Sequence, residues 1–106
     1  MGCYGFSPYT TVTVTIKGVS DGTNALSTIK RMFEDIGYSE STVADPSPTR
    51  LGFRSETLKG VFVIVEFDSE KNELEMFFSQ YAERLTDDAE QQLKAVSKKL
   101  KLIFNN

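Results

Sequence analysis

The sequence predicts a single α+β domain, in which two helices cover one face of a mainly antiparallel sheet. The chain has 106 residues, of which 40% are hydrophobic and 25% charged, as is usual for one globular domain. Apolar residues alternate at period two in some segments and recur at helical spacing in others. The segments follow in the order β-α-β-β-β-α, which predicts a two-layer α/β sandwich with a four-stranded sheet.

The first strand has the clearest pattern in the chain. From Thr10 to Lys17, Val12, Val14 and Ile16 alternate with threonines, and β-branched residues at period two are typical of a strand. Residues 1–9 show no periodicity and are interpreted as an N-terminal tether or arm. The α+β domain is therefore expected to span residues 10–106.

The two helices are predicted from their apolar spacing and their ends. Apolar residues recur at helical spacing between Ala25 and Ile36, after several candidate capping residues, and Gly37 follows where a glycine often ends a helix. The second helix is expected to begin after Thr86, a good N-cap, and to carry its apolar stripe as far as Ile103.

Three strands are predicted between the helices. Leu51 and Phe53 indicate a short strand, whereas the nearly apolar run Val61–Phe67 indicates a central one. Leu74–Tyr81 is expected to pair back onto it after a tight turn. The polar segment Tyr38–Thr49, which precedes these strands, is interpreted as a long loop.

The composition argues against several function classes. The chain has no histidine and one cysteine, Cys3, so Ser-His and Cys-His nucleophile systems, an intrachain disulfide and a zinc ligand set are all excluded. Carboxylates are abundant, but their spacing marks out no pair, and Arg50 and Arg54 with Asp45 form only an unspecific candidate anion site. We therefore expect no enzyme, cofactor or metal. The net charge of −3 argues against nucleic acid as a partner.

Charge is unevenly distributed along the chain. Asp68, Glu70 and Asn72 have the one-three-five spacing of a calcium loop, but Glu73 replaces the required glycine, which favours a solvated turn. Acids dominate from Glu66 to Glu90. From Lys94 to Lys101 there are four lysines and no acid, and Lys94, Lys98 and Lys101 share a face that is interpreted as solvated, with an acidic partner or an anionic lipid surface as the alternative.

The N-terminus carries one short motif, Gly2-Cys3. It resembles the mature N-terminus of bacterial lipoproteins, which implies lipid attachment at Cys3, membrane association only through that anchor, and a place in the bacterial cell envelope. Met-Gly-Cys also resembles a doubly acylated eukaryotic N-terminus, although Phe6 stands where Ser or Thr is expected. A third possibility is an ordinary start with a spare thiol, which implies a cytoplasmic protein.

The sheet face away from the helices is the candidate partner-binding surface. If the valines of the strands face the helices, period two places several large side chains on the opposite face. These residues are Arg54, Phe62, Ile64, Phe77 and Tyr81. A face this apolar is expected to be covered by a protein partner, by self-association, by the N-terminal arm or by the Tyr38–Thr49 loop.

These observations predict a non-catalytic protein-interaction domain. The leading hypothesis is a small envelope lipoprotein that presents its sheet face or a loop to a protein partner. The alternative is a cytoplasmic acidic inhibitor or immunity-type protein that covers a basic site with its Glu66–Glu90 surface. An enzyme without a recognisable site is a distant third.

Overall fold

The computed structural model describes residues 9–43 and 46–104. The elements in chain order are β1 (Tyr9–Lys17), α1 (Gly22–Asp35), β2 (Tyr38–Ser41), β3 (Arg50–Ser55), β4 (Val61–Asp68), β5 (Glu73–Tyr81) and α2 (Asp87–Phe104). The predicted α+β class is confirmed. Both helices bury their apolar residues against the same face of an antiparallel sheet.

The sheet has the strand order β1-β5-β4-β3-β2, and every neighbouring pair is antiparallel. After β1, helix α1 carries the chain across the sheet to β2 at the opposite edge. From β2 the chain returns strand by strand to β5, which pairs with β1 over the full length of both strands. β1 and β2 are therefore the two edges of the sheet.

The predicted four-stranded sheet lacked one strand. Tyr38–Ser41, interpreted from the sequence as the start of a loop, is β2, and it pairs with β3 from Tyr38 to Ser41. Only Tyr38 is fully buried in this short strand, and its ring packs against Phe33 of α1 at a centroid distance of 5.0 Å. Four residues with one inward aromatic carry too little alternation to be recognised, so tertiary packing determines this strand.

The helix ends follow the predicted capping chemistry. Asp21 caps α1 by accepting a hydrogen bond from the Asn24 backbone N–H at 3.2 Å. Gly37 has a φ of +92°, a conformation that favours glycine, where the chain leaves the helix. The Ala89 backbone N–H donates to Thr86 Oγ1 at 3.4 Å, as expected for an N-cap.

The core lies between the sheet and the two helices. Phe33 on α1, Val63 on β4 and Leu93 on α2 are all buried. Phe33 stacks on Phe53 of β3 at 4.9 Å, which ties α1 to the sheet. Neither of the helices in the described ranges is long and apolar enough to cross a membrane.

Candidate functional site

The outer face of the sheet, which lies opposite the helices, carries the residues predicted for partner binding. Strand register places Arg54 opposite Phe62 and Ile64 opposite Phe77, and directly opposite residues in an antiparallel pair share a face. Tyr81, at the end of β5, pairs with Tyr9 on the same face. The structure therefore brings all five predicted residues onto one surface.

An aromatic cluster, formed by Tyr9, Phe62 and Tyr81, lies at one end of this face. The Tyr9 ring meets Phe62 at 5.3 Å and Tyr81 at 5.0 Å, and both contacts are edge-to-face. Such pairs contribute about 0.5–1.5 kcal/mol beyond burial, so the three rings hold one another in place. Tyr9 is 46% and Tyr81 61% exposed, which leaves much of the cluster open to solvent.

Tyr9 is the member of this cluster that sequence reasoning missed. The sequence pattern places it in the N-terminal arm, whereas the structure makes it the first residue of β1. The signal was present, because Tyr9 extends the period-two series of Thr11, Thr13 and Thr15 by one step.

A groove of about 450 Å³ opens between the aromatic cluster and the connection from β3 to β4. The aromatic cluster forms one wall, and Arg54, Glu56 and Lys59 contribute polar groups to the other. Gly60 allows the two walls to approach: a Cβ at this position would lie 3.3 Å from the Tyr81 Cβ. The Gly60 carbonyl also accepts the Tyr81 backbone N–H at 2.9 Å, which fixes the end of β5.

The polar rim of the groove is held by Glu56. Its carboxylate accepts a hydrogen bond from the Ser39 hydroxyl and lies 3.7 Å from Arg54 Nη2. The Ser39 hydrogen bond, and next the Arg54 charge, lower the pKa of Glu56. Both contacts therefore favour the charged form of the Glu56 carboxylate.

Apart from Tyr9 and Tyr81, the apolar part of the outer face is half covered. Phe62, Ile64 and Phe77 are half-buried, and Val43 lies directly over Gly52, where a Cβ would come within 2.5 Å of Val43 Cγ1. The segment that follows β2 therefore shields part of the face, as one of the sequence-based alternatives proposed. Tyr81 remains outside this cover.

The opposite end of the outer face is acidic. Glu66 faces Glu75 across the β4–β5 ladder, and Asp68 faces Glu73 in the same ladder. Arg50 Nε donates to Glu66 Oε1 at 2.5 Å, which neutralises one of the four acids. Like charges opposite each other are unfavourable in a sheet, and Lys17 of β1, opposite Glu73, adds a cation at this end of the face.

The other sequence motifs have ordinary structural roles. Asp68 accepts the backbone N–H groups of Glu70 and Lys71, which makes the calcium-like sequence a hydrogen-bonded turn. Within residues 9–43 and 46–104, no group of three acids, cysteines or histidines could hold a metal. Of the candidate anion site, Arg50 pairs with Glu66 and Arg54 with Glu56, and Asp45 lies outside the described residues.

Two further sequence predictions concern charge and the N-terminus. Lys94 pairs with Glu90 of α2 at 3.8 Å, and Lys98 and Lys101 are exposed. Cys3 lies outside the described residues.

A comparison of the chain with protein-family models, curated proteins and solved structures finds no match.

Proposed function

We propose that this domain is a non-catalytic protein-interaction module that binds a protein partner on its outer face. The observation that carries the proposal is the aromatic cluster. Tyr9, Phe62 and Tyr81 form a fixed apolar surface beside a groove, yet they lie on the face that takes no part in packing the helices. Tyrosine-rich surfaces of this kind supply large contact area at low conformational cost in protein interfaces.

The groove adds charged and hydrogen-bonding side chains to this apolar surface. Arg54 and Lys59 lie on the wall facing the aromatic rings, and Arg54 is 68% exposed. Arginine is enriched at interface hot spots because one side chain offers several hydrogen-bond donors and a flat stacking surface. A partner segment that combines an apolar side chain with a carboxylate or backbone carbonyls would fit both walls.

The test compares the wild type with the double variant Phe77→Ser/Tyr81→Ser. Both proteins are expressed with a tag in the native cells, the copurifying partner is identified, and its affinity for each purified protein is measured by calorimetry. The double variant should remain folded but lose the partner. Leu102→Ser on α2 is the matched control, because it removes a similarly exposed apolar side chain from a different surface.

Thermal unfolding of each variant separates lost binding from lost folding. An unchanged affinity in a folded double variant would contradict the proposal. Unfolding of the double variant would instead show that these side chains form a second core.

The acidic end of the outer face favours a second candidate, an inhibitor or immunity-type protein that covers a basic site. Asp68, Glu73 and Glu75 lie together there beside the Arg50–Glu66 pair. The test is the salt dependence of the partner's association rate, because steering by opposite charges weakens as ionic strength rises. Glu73→Gln/Glu75→Gln should reduce both the rate and its salt dependence, whereas a partner without a basic surface would show neither effect.

The location proposed for the module is the bacterial cell envelope, with lipid attached at Cys3. This proposal rests on the Gly2-Cys3 motif, and β1 begins shortly after it, at Tyr9, so the tether would join the sheet at the aromatic cluster. In native cells the protein should fractionate with membranes, and Cys3→Ser should release it. Stable attachment needs more than one acyl chain. Recovery of the native protein with a free Cys3 thiol would contradict the anchor and support a cytoplasmic location.

A further inference from the structure

β1 is an edge strand without the usual protection. It is nine residues long and pairs with β5 at every position, so it contains no bulge, and Lys17 at its last position is its only charge. Natural edge strands are kept from pairing by short length, proline, bulges or central charges. No strand of the described ranges pairs with the other side of β1.

The opposite edge of the same sheet is protected. β2 has four residues, carries Glu40 within its length, and Lys30 of α1 reaches Glu40 at 3.4 Å. The contrast between the two edges indicates that the open edge of β1 is a specific feature of this domain.

The register of the sheet shows which backbone groups of β1 point outward. The Tyr81 N–H donates to Gly60, on the β4 side of β5. The backbone N–H and C=O groups of every second β5 residue, counted from Tyr81, therefore also point toward β4. The β5 residues between them bond to β1, and their β1 partners include Val12 and Val14. The N–H and C=O groups of the alternate residues therefore face the open edge. These residues are Thr11, Thr13 and Thr15.

We propose that β1 pairs antiparallel with β1 of a second copy of this chain, about a two-fold axis at Thr13. An axis at Thr13 overlaps the full strand and lets the outward backbone groups of both copies bond to each other. On the outer face Thr13 meets Thr13 and Thr11 meets Thr15, and threonine pairs are favourable cross-strand neighbours.

The remaining contacts in this register are also complementary. Val12 meets Val14 on the inner face, where both are half-buried beside the core and would lose further contact with water. At the ends of the strand, Tyr9 of one copy meets Lys17 of the other, so no like charges face each other.

The joined sheet has a consequence for the molecule as a whole. α2 is the helix that packs on β1, and it ends in Leu102 and Ile103, which are 58% and 38% exposed. A two-fold axis at β1 brings the two α2 helices to the same side of the joined edge. The two outer faces become one continuous surface.

The test uses sedimentation equilibrium to measure the molecular mass of the protein at a series of concentrations. The full chain carries Cys3→Ser, so that disulfides between copies through Cys3 cannot form. The mass should rise from 11.9 kDa toward twice that value. Thr13→Lys places two like charges across the axis and should weaken the dimer by about tenfold or more. Thr13→Val, the matched control, keeps the strand and should leave the dimer intact. A monomer at all concentrations, or equal dimerisation of the Lys variant, would overturn the proposal.

Disulfide trapping tests the register independently of affinity. In the proposed dimer the two Thr13 Cα atoms lie about 5.5 Å apart, within the range that a disulfide spans. Thr13→Cys should therefore crosslink on oxidation. Thr15→Cys should not, because the two copies of residue 15 would lie about 13 Å apart along the strands. Crosslinking of Thr15→Cys in preference to Thr13→Cys would overturn the proposed axis. The sedimentation and crosslinking results do not depend on the Phe77 and Tyr81 variants that test the proposed function, so the two proposals can fail separately.

Discussion

Tyr38 is the buried titratable side chain at the contact between β2 and α2. Its ring packs on Phe33, and its hydroxyl donates to Gln92 Oε1 of α2 at 3.5 Å. Burial raises the pKa of Tyr38 from 10.0 to about 12, and a hydrogen bond with Ser55 offsets only part of this effect. The fold therefore depends on the neutral phenol.

This shift predicts a loss of stability in base. The unfolded chain ionises Tyr38 near pH 10.0 and the folded chain near 12, so the stabilisation is complete below pH 10.0 and is lost as the pH rises through 12. At a pH of about 12, the loss in the free energy of unfolding should be about 2 kcal/mol. Urea unfolding at a series of pH values should show the advantage of wild type over Tyr38→Phe shrinking by this amount.

Tyr81→Phe is the matched control, since it removes a phenol from an exposed position. A difference between wild type and Tyr38→Phe that stays constant with pH would contradict the assigned role of burial.

Gly22 is the second residue whose role depends on a contact distant in sequence. It lies in the first turn of α1, where alanine is normally favoured over glycine by about 1 kcal/mol. In the structure a Cβ at Gly22 would come within 2.2 Å of the Phe67 ring, and Phe67 is itself buried. The ring has little room to move, so the usual preference should be reversed.

Gly22→Ala should therefore destabilise the domain by about 1–3 kcal/mol, as overpacking does in other cores. Ser27→Ala, at an exposed position of the same helix, should be neutral or slightly stabilising. The free energy of unfolding in urea gives both values. A gain in stability from Gly22→Ala would show that the Phe67 ring can be displaced without cost.

At the scale of elements, Gln80 connects the β3–β4 turn to the start of α2. This buried side chain donates from Nε2 to the Lys59 carbonyl at 3.1 Å, and its Oε1 accepts the Thr86 backbone N–H at 2.8 Å. Thr86 in turn caps α2. One amide thus satisfies backbone groups of two elements that would otherwise lack partners.

Gln80→Met keeps the length of the side chain but removes both hydrogen bonds. We expect a loss of about 1–3 kcal/mol, since two hydrogen bonds are removed and each contributes about 0.5–1.5 kcal/mol. Hydrogen exchange should show the first turn of α2 opening more often than the rest of the helix. Thr86→Ala removes the cap and the hydrogen bond from Gln80 Nε2 to Thr86 Oγ1 but keeps both backbone bonds of Gln80, and it should cost about 1 kcal/mol. Equal exchange along α2 in the Gln80→Met protein would contradict this role.

The elements differ in how far the sequence could predict them. β1, β4, β5 and both helices have long periodic patterns, and most of their inward residues were identified correctly because period two and helical spacing require only local information. Ile103 is an exception: it was predicted to lie on the apolar stripe of α2 but is 38% exposed. β2 could not be predicted, because Tyr38 is fixed by Phe33 and by the β3 ladder rather than by its neighbours in the chain. Contacts such as Val43 over Gly52 have the same origin.

The candidate site shows the same division. Alternation alone placed Phe62, Ile64, Phe77 and Tyr81 on one face, and the structure has them there. The cluster geometry, the groove and the position of Tyr9 depend on which strands are neighbours, and β1 joins β5 across a long stretch of chain. Periodicity predicts the face of a residue, but it does not predict the neighbouring strand.

At the scale of the whole molecule, the two faces of the sheet have different tasks. The inner face and the helices form the core, whose buried members lie between Ile16 and Leu100. The outer face carries the aromatic cluster at one end and the acids at the other. If a partner covers the outer face, as proposed, the stability of the isolated domain should come almost entirely from the inner core.

This division predicts that deleting the N-terminal arm and truncating core side chains should have unequal effects on the free energy of unfolding. If a partner covers the outer face, deleting residues 1–8 should alter the unfolding free energy by less than about 1 kcal/mol. Phe33→Ala and Leu93→Ala should cost about 2–5 kcal/mol each, and Val63→Ala somewhat less because fewer atoms are removed. Urea unfolding of the purified variants gives all four values on one scale. A loss after deletion as large as that of Phe33→Ala would instead assign the N-terminal arm to the outer face, and would leave the segment from Tyr38 to Thr49 as the surface for a partner.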